Sequence, residues 1–259
     1  MLETSRKKPS SVSSRSYTKY KGKEVVGILG YGEIGKAVGE FYEKFYIKDL
    51  KEDNFPDKID ILHVCFGMSD SFVMDVVNVA KKHNVGLVII HSTVPVGTTR
   101  AICGFHKFTV HSPCSGVHPH LHEGLRTFTK FIGANDAVSG STTAKHFKKL
   151  GMNTKVFYKS ETTELMKLLD TTYYGLIIAY HAYANEFCQD LELNFDNVMT
   201  EWNKSYNKGY KKLKKSNVIR PILYPLDGKI GGHCVINNAK LLKQQFGEDP
   251  ILTSILRHA

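Results

Sequence analysis

The sequence lacks the features that are typical of membrane proteins, of secreted disulfide-bonded proteins and of proteins stabilised by a structural metal ion. No apolar run approaches the roughly 20 residues needed to cross a bilayer, and no apolar signal core stands at the N-terminus. The five cysteines show no C-x-x-C spacing, which argues against a disulfide framework and against a structural zinc site. No internal repeat is found. We therefore expect a cytoplasmic globular protein with reduced thiols, no bound metal and no membrane partner.

The positive charge is unevenly distributed. The 259 residues carry a formal net charge of +10. Residues 1–23 hold seven Lys or Arg against one acid, and residues 204–220 hold seven with no acid, so the rest of the chain is slightly acidic. This distribution argues against a nucleic-acid partner. We expect residues 1–22 to be a disordered basic arm. The second segment would attract an anionic small molecule, although a solvated lysine-rich helix end explains its lysines equally well.

A glycine pattern follows the first buried run of the chain. Residues 25–29 have the bulky, β-branched character of a buried parallel strand, and residues at helical spacing come after the glycines. A strand, a glycine turn and a helix in this order predict a dinucleotide site. Gly30 would permit the tight turn, Gly32 would admit a pyrophosphate, and Gly35 would let the helix pack against the strand. The predicted cofactor-binding residues of this turn are Gly30, Tyr31, Gly32, Glu33, Ile34 and Gly35.

An acidic residue, Asp49, lies at the end of the second predicted strand. Asp49 lies about 20 positions after the glycines, where a carboxylate bonds the adenosine ribose and repels a 2′-phosphate, so we expect NAD rather than NADP. Strands and helices then alternate, which predicts a doubly wound, Rossmann-type domain over residues 23–159. Ligands sit beyond the carboxyl ends of such strands. Gly67, Ser92 and Thr93 follow the next two strands and are predicted to lie on the nicotinamide side.

The pattern changes to helices after residue 159. Residues 160–193 contain no proline and carry apolar residues at intervals of three and four. They predict a helix of about 33 residues, near 50 Å long. We expect residues 160–259 to form an all-helical second domain built on this helix. The domain would bind substrate, and its long helix would join two copies of the chain in a homodimer.

Several segments resemble the UDP-glucose/GDP-mannose dehydrogenase family, within the wider 6-phosphogluconate-dehydrogenase-like group. They are GILGYGEIG, HSTVPVGTT, the SP turn at 112–113, TELMKLLDTTYYGLIIAYHAYANE and GKIGGHCVINN. The resemblance implies an NAD-dependent enzyme that oxidises an alcohol twice, with a thiol that captures the intermediate aldehyde. It implies Cys234 as that nucleophile, Lys167 as a stabiliser of developing oxygen charge, and Thr93 as a group that positions water or substrate.

The resemblance also implies a set of substrate contacts. Arg220 would meet the anionic part of the substrate, and Gly231, Gly232 and Asn238 would line its site. Thr171 stands one turn after Lys167, where the family has an asparagine, and is counted with the catalytic residues.

The sequence departs from the family at several positions. Asn237 and Asn238 replace a Lys-Asp pair, and an amide cannot act as a general base. Cys114 replaces the glutamate expected after the SP turn. The family's third domain, which binds the nucleotide sugar, is expected to be missing.

Two alternatives stay open. The segment SPCSGVHP also resembles the substrate loop of the β-hydroxyacid dehydrogenases. That resemblance implies a two-electron oxidation in which Ser115 and Gly116 bind a small acid and Lys167 is the general acid or base. The second alternative is a cofactor-binding protein that has lost turnover.

Three histidines in HPHLHEG raise the question of a metal site. Alternate spacing would place His118, His120 and His122 on one face of a strand, and His118 and His122 have the spacing of a helical pair. Pro119 and the loop setting weaken both geometries. We interpret the cluster as a polar rim of the substrate cleft.

Overall fold

The computed structural model describes residues 19–116, 120–226, 228–231 and 234–259. Within these residues the chain forms eight strands and nine α-helices. The strands are β1 Val26–Leu29, β2 Tyr46–Asp49, β3 Glu52–Asp53, β4 Ile61–Val64, β5 Leu87–Ile90, β6 Thr109–His111, β7 Lys130–Ala134 and β8 Thr154–Phe157. The helices are α1 Glu33–Gly39, α2 Phe72–Lys82, α3 Thr98–Cys103, α4 Leu121–Thr127, α5 Ala137–Lys149, α6 Ser160–Asp190, α7 Glu201–Lys212, α8 Cys234–Phe246 and α9 Pro250–Leu256.

All eight strands belong to one sheet, in the order β3-β2-β1-β4-β5-β6-β7-β8. The strands from β2 to β6 in this order run parallel, whereas β3 and the β7-β8 pair run antiparallel to their neighbours. The chain leaves β1 in one direction to β2 and returns on its other side to β4. This reversal makes the carboxyl ends of β1 and β4 the expected place for a ligand.

Alternating side chains of the strands fill two apolar layers. On one face, Ile28, Ile61 and Ile89 pack with α1, α4 and α5. On the other face, Leu62 and Val88 pack with α2 and α3. Both faces of the sheet are therefore buried, which explains why its central strands are continuous apolar runs in the sequence.

Helix α6 is the longest element, with 31 residues. Its first half packs against β6, β7 and β8, and its later turns pack against α8 and α9. Glu164 fixes this arrangement, because its buried carboxylate accepts hydrogen bonds from Gly97 N at 2.6 Å and Thr99 N at 2.7 Å at the start of α3. The predicted fold class, a doubly wound α/β sheet followed by helices built on one long helix, is confirmed.

The first described residues of the chain contact the segment that follows α1. Residues 1–18 of the predicted basic arm lie outside the described residues. Tyr20 forms a bridge to Tyr42 and its backbone N–H donates to Phe41 O at 2.8 Å. In the part of the chain that the structure describes, no helix combines the length and apolar character that a membrane span requires.

Candidate functional site

The glycine turn has the geometry that the sequence predicts. Gly30 adopts a φ of +88°, and a Cβ there would meet the Phe66 backbone nitrogen at 2.7 Å. A Cβ on Gly35 would collide with the carbonyl oxygen of Gly30. Gly32, at the start of α1, has open space around its Cα within 4 Å. The turn therefore leaves room beside the free N–H groups of α1, where a diphosphate fits.

Asp49 lies beside this turn at the end of β2. Its carboxylate accepts hydrogen bonds from the backbone N–H groups of Tyr31 and Leu50, the latter at 2.6 Å. These two bonds hold the pKa of Asp49 below its usual value, because they favour the charged form. A neighbouring cavity of about 360 Å³ is walled largely by the apolar side chains of Leu29, Phe66 and Val79. This corner can hold an adenosine, with its ribose against Asp49.

A larger cleft opens on the other side of the turn. It has a volume of about 710 Å³ and lies at the carboxyl ends of the central strands. Ile34 of α1 lines it, together with loop residues after β4 and β5 and the first turns of α8. The predicted site residues that line this cleft are Ile34, Gly67, Ser92, Thr93, Cys234 and Asn238. Ser92 also ties two loops together, since its hydroxyl donates to Phe66 O at 2.6 Å.

Helix α8 brings the thiol into the cleft. Cys234 is its first residue and is exposed. Asn238 lies one turn later on the same face of the helix and is only 3% exposed. Its side-chain nitrogen is buried and has no hydrogen-bond partner among the described residues. A buried donor without a partner costs about 1–3 kcal/mol, so an oxygen atom of a ligand would be a favourable partner.

Lys167 occupies a different part of the site. Its amine donates to the carbonyl oxygen of Cys114 at 3.0 Å, directly after the SP turn. Thr171 lies one turn later, and its hydroxyl donates to Lys167 O at 3.0 Å within the helix. Lys167 does not line the 710 Å³ cleft. The two helices that carry Lys167 and Cys234 nevertheless pack together, because Leu168 and Val235 share one apolar cluster.

Several predicted substrate contacts lie away from the described cleft. Arg220 is exposed and stacks on the ring of Tyr206 at 3.4 Å, while the Asn207 side chain holds its backbone at 2.8 Å. Ser115 and Gly116 are exposed and pack against α4. Gly231 is exposed, and Gly232 lies outside the described residues. The roles given to these residues stay predictions.

The histidine cluster does not form a rim on the described cleft. His122 packs on the Phe41 ring at 4.3 Å and contacts Ala37 O at 3.2 Å, under α1. His120 pairs with Glu123 at 3.7 Å. His118 lies outside the described residues. Among those residues no group of three or more His, Cys, Asp or Glu is arranged to hold a metal ion.

A buried polar network that the sequence does not predict lies beneath the SP turn. Lys130 of β7 is only 3% exposed, and its amine reaches Ser112 O at 2.7 Å and Pro113 O at 2.8 Å. Burial lowers its pKa. A hydrogen-bonded row of His91, His63 and Tyr42 lies beside it, with His91 Nδ1 at 3.1 Å from the Lys130 amine. The sequence feature that could have indicated this network is a lysine and histidines, namely Lys130, His63 and His91, in or directly after otherwise apolar strand segments.

The overall fold is shared with solved dehydrogenase structures. A UDP-D-ManNAc dehydrogenase from Pyrococcus horikoshii has a TM-score of 0.72 and 17% identity, and the alignment covers 90% of this chain and 67% of that one. A UDP-glucose dehydrogenase from Pyrobaculum islandicum gives a TM-score of 0.66 and 17% identity, with coverages of 90% and 67%. A 3-hydroxyisobutyrate dehydrogenase from Mycobacterium tuberculosis gives 0.62 and 13%, with coverages of 90% and 91%.

These comparisons agree with the resemblance drawn from the motifs at the level of the fold. The chain spans about two thirds of the UDP-sugar dehydrogenases and most of the hydroxyisobutyrate enzyme. No family model and no curated protein sequence matches it.

Proposed function

We propose that this chain is an NAD-dependent dehydrogenase that oxidises an alcohol group of a small anionic or sugar-like substrate. One observation carries the proposal. The cleft beside the glycine turn is lined both by Ile34, which follows the turn, and by the thiol-bearing residue Cys234. A cofactor anchored at the turn and a substrate held at α8 would therefore share one space.

The residues fit a dinucleotide. The open space at Gly32 admits a diphosphate, and Asp49 offers its charged carboxylate to the ribose beside an apolar wall. When bound, NAD would accept the hydride that the alcohol loses. The carboxylate at position 49 favours NAD over NADP, because a 2′-phosphate would be repelled there.

The protein side chains would supply the remaining chemistry. Lys167 is the proposed general acid or base for the alcohol proton, and Thr93 would orient the substrate at the end of β5. Cys234 would capture an aldehyde product through its thiol. Asn238 would donate its unpaired amide hydrogen to a substrate oxygen. Arg220 would attract the anionic part of the substrate.

The test measures NADH formation with NAD or NADP across UDP-sugars, small 3-hydroxy acids and simple alcohols. We expect turnover with NAD in at least one class. Lys167→Ala should lower kcat about 100-fold or more, since general acid-base catalysis contributes that much. Lys145→Ala, which removes an exposed lysine of α5, is the matched control. Equal rates for the parent protein, Lys167→Ala and Cys234→Ser would remove the site assignment.

A second candidate function is a single, two-electron oxidation of a hydroxy acid. Asn238 favours it, because an amide cannot accept a proton from water and so cannot assist hydrolysis of a thioester on Cys234. The chain also spans 91% of the hydroxyisobutyrate dehydrogenase structure. The number of NADH molecules formed per substrate decides between the candidates: two for the double oxidation and one for the single. NAD binding without turnover of any substrate would instead favour a protein that has lost catalysis.

We further propose that α6 joins two copies of the chain. Tyr173, Tyr180 and Phe187 follow one another at intervals of seven residues, and each is at least half exposed. Such spacing places them on one face of a helix about 46 Å long. A second α6 related by a two-fold axis would cover this face with the same residues.

The mass in solution tests this assembly. We expect a homodimer by light scattering and a monomer for Tyr180→Lys. Trp202→Lys replaces an aromatic residue of α7 that is 68% exposed, and it should remain dimeric. A monomeric parent protein would contradict the proposal.

A further inference from the structure

Two lysines from different elements hold the same short turn. Residues 112–114 follow β6 and present three successive carbonyl oxygens to amines. Lys130 of β7 donates to Ser112 O at 2.7 Å and to Pro113 O at 2.8 Å. Lys167 of α6 donates to Cys114 O at 3.0 Å. The direction of the third carbonyl therefore depends on how the first two are held.

The Lys130 amine is costly to bury. Its side chain is 3% exposed, and taking an ammonium group out of water is unfavourable unless hydrogen bonds offset the cost. Cys114 Sγ at 3.5 Å, His91 Nδ1 at 3.1 Å and the Phe147 ring at 5.8 Å complete its surroundings. An apolar side chain would fill the same space without this cost. Unlike an apolar side chain, the amine holds the Ser112 and Pro113 carbonyls in place through its hydrogen bonds.

The charged and titratable groups around Lys130 come from four elements. Cys65 follows β4, His91 follows β5, Cys114 lies in the turn, and Lys167 approaches from α6. Burial is the main cause that lowers the pKa of Lys130, the Lys167 charge lowers it further, and the two thiols raise it.

A histidine row adds a second donor to the first carbonyl. His91 Nδ1 lies 2.9 Å from Ser112 O, and its Nε2 lies 2.9 Å from His63 Nδ1. Tyr42 Oη lies 2.7 Å from both His63 Nε2 and His146 Nε2. If each group donates toward Ser112, all contacts within this row are hydrogen bonds, and only His146 Nδ1 of the row lacks a partner among the described residues. His91 Nδ1 is then a donor, so its contact with the Lys130 amine is not a hydrogen bond. The Ser112 carbonyl is then fixed by His91 and Lys130 together.

We propose that Lys130 is a positioning residue for Lys167. By holding the carbonyls of Ser112 and Pro113, its amine sets the direction of the Cys114 carbonyl, and that carbonyl fixes the Lys167 amine. The inference rests on the proposed function for the role of Lys167 in the reaction, but the contact between Lys167 and Cys114 can be measured without turnover.

The experiment compares Lys130→Met, which keeps most of the length of the side chain but has no donor, with Lys130→Arg, which keeps donors. Lys145→Met is the control. We expect Lys130→Met to lower kcat about 10-fold to 100-fold, the range for a displaced catalytic group, with KM changed less than about twofold. Lys130→Arg should recover part of the loss. A loss in KM alone, or equal losses in the Met and Arg variants, would overturn the proposal.

A second readout is independent of activity. The ¹³C resonance of the Cys114 carbonyl, assigned with Cys114→Ala in selectively labelled protein, reports the hydrogen bond from Lys167. The chemical shift of this resonance should change in Lys167→Met and in Lys130→Met and should stay unchanged in Lys145→Met. A resonance that moves in Lys167→Met but not in Lys130→Met would overturn the proposal. Absence of turnover in the parent protein would count against the proposed function only.

The Met variant could also fail to fold, which a thermal melt would show. In that case Lys130→Gln replaces it, because the glutamine amide is shorter by one bond and cannot reach both carbonyls. The same shift of the Cys114 resonance is expected. An unchanged resonance in folded Lys130→Gln would overturn the proposal.

Discussion

At position 238 an amide nitrogen is buried beside the cleft, and no residue that the structure describes is its hydrogen-bond partner. Replacing Asn238 by leucine removes the unpaired donor and keeps the branched shape of the side chain. We expect the free energy of unfolding of the ligand-free protein to rise by about 1 kcal/mol, because the cost of the unpaired donor disappears. The same change should lower kcat/KM about tenfold or more, since the donor to the substrate is lost. Urea unfolding and steady-state kinetics measure the two effects, and a variant that loses stability but keeps its full activity would contradict the assignment.

Asp49 allows a second test at the scale of one residue. Its pKa is lowered by backbone hydrogen bonds, so the carboxylate is charged near neutral pH. Asp49→Asn removes this charge with little change of shape. We expect NAD to bind about tenfold more weakly and the preference for NAD over NADP to shrink, because the repulsion of a 2′-phosphate is gone. Calorimetry with both cofactors measures the change.

The control for this prediction is Glu52→Gln. Glu52 is an exposed acid of β3 that lies opposite Asp49 in the strand pair. It does not line the adjoining 360 Å³ cavity. Equal effects of Asp49→Asn and Glu52→Gln would show that net charge, and not the ribose contact, controls affinity.

At the scale of elements, α6 and α8 pack tightly at Gly175. A Cβ there would collide with Val235 and meet Ile255 Cγ2 at 3.3 Å. We expect Gly175→Ala to lower the free energy of unfolding by about 1–3 kcal/mol, the usual cost of overpacking. Because Val235 follows Cys234, the variant should also lose activity. Chemical denaturation and NADH formation measure both effects.

Gly209 is the matched control on α7. It lies inside a helix, and a Cβ there would have open space within 4 Å. Gly209→Ala should raise stability by about 0.5–1 kcal/mol, because alanine favours a helix more than glycine does. Destabilisation by both substitutions would contradict the packing argument for Gly175.

Element boundaries show what the sequence can and cannot predict. The change from alternating strands to helices near residue 160 is visible because apolar periodicity changes there, and α6 begins at Ser160. Strand β3 has two residues and α3 has six, which are too few to show a period. Cys234 could be placed in the cleft through its motif. The contacts of Lys130 could not be predicted, because they are to two carbonyls and a thiol 16–18 residues away that only the folded chain brings together.

At the scale of the whole molecule, buried histidines predict sensitivity to acid. Burial lowers the pKa of His146 to about 4 and of His111 to about 3, and it lowers those of His63 and His91 well below the usual value. The unfolded chain binds these protons near pH 6.5, whereas the folded chain binds them only at lower pH. Stability is therefore complete above about pH 6.5 and is lost as the pH falls.

The size of this effect follows from His146 alone. A pKa lowered from 6.5 to about 4 corresponds to about 3 kcal/mol lost by pH 4. Urea unfolding at a series of pH values measures the loss. His146→Phe should flatten the dependence, while replacement of the exposed His120 by glutamine should leave it unchanged. A free energy of unfolding that stays constant from neutral pH to about pH 5 would contradict the prediction.

The segment that precedes the Cys234 thiol contacts the residues that follow α9. The backbone N–H of Ile230 donates to His258 O at 2.8 Å, so the segment that leads to Cys234 is tethered to the residues after α9. Ile230 is itself 6% exposed and packs in the cluster of Leu168 and Val235. A change that displaces the residues around His258 would therefore displace the segment before Cys234. The reactivity of this thiol should accordingly depend on residues that lie more than 20 positions after it in the sequence.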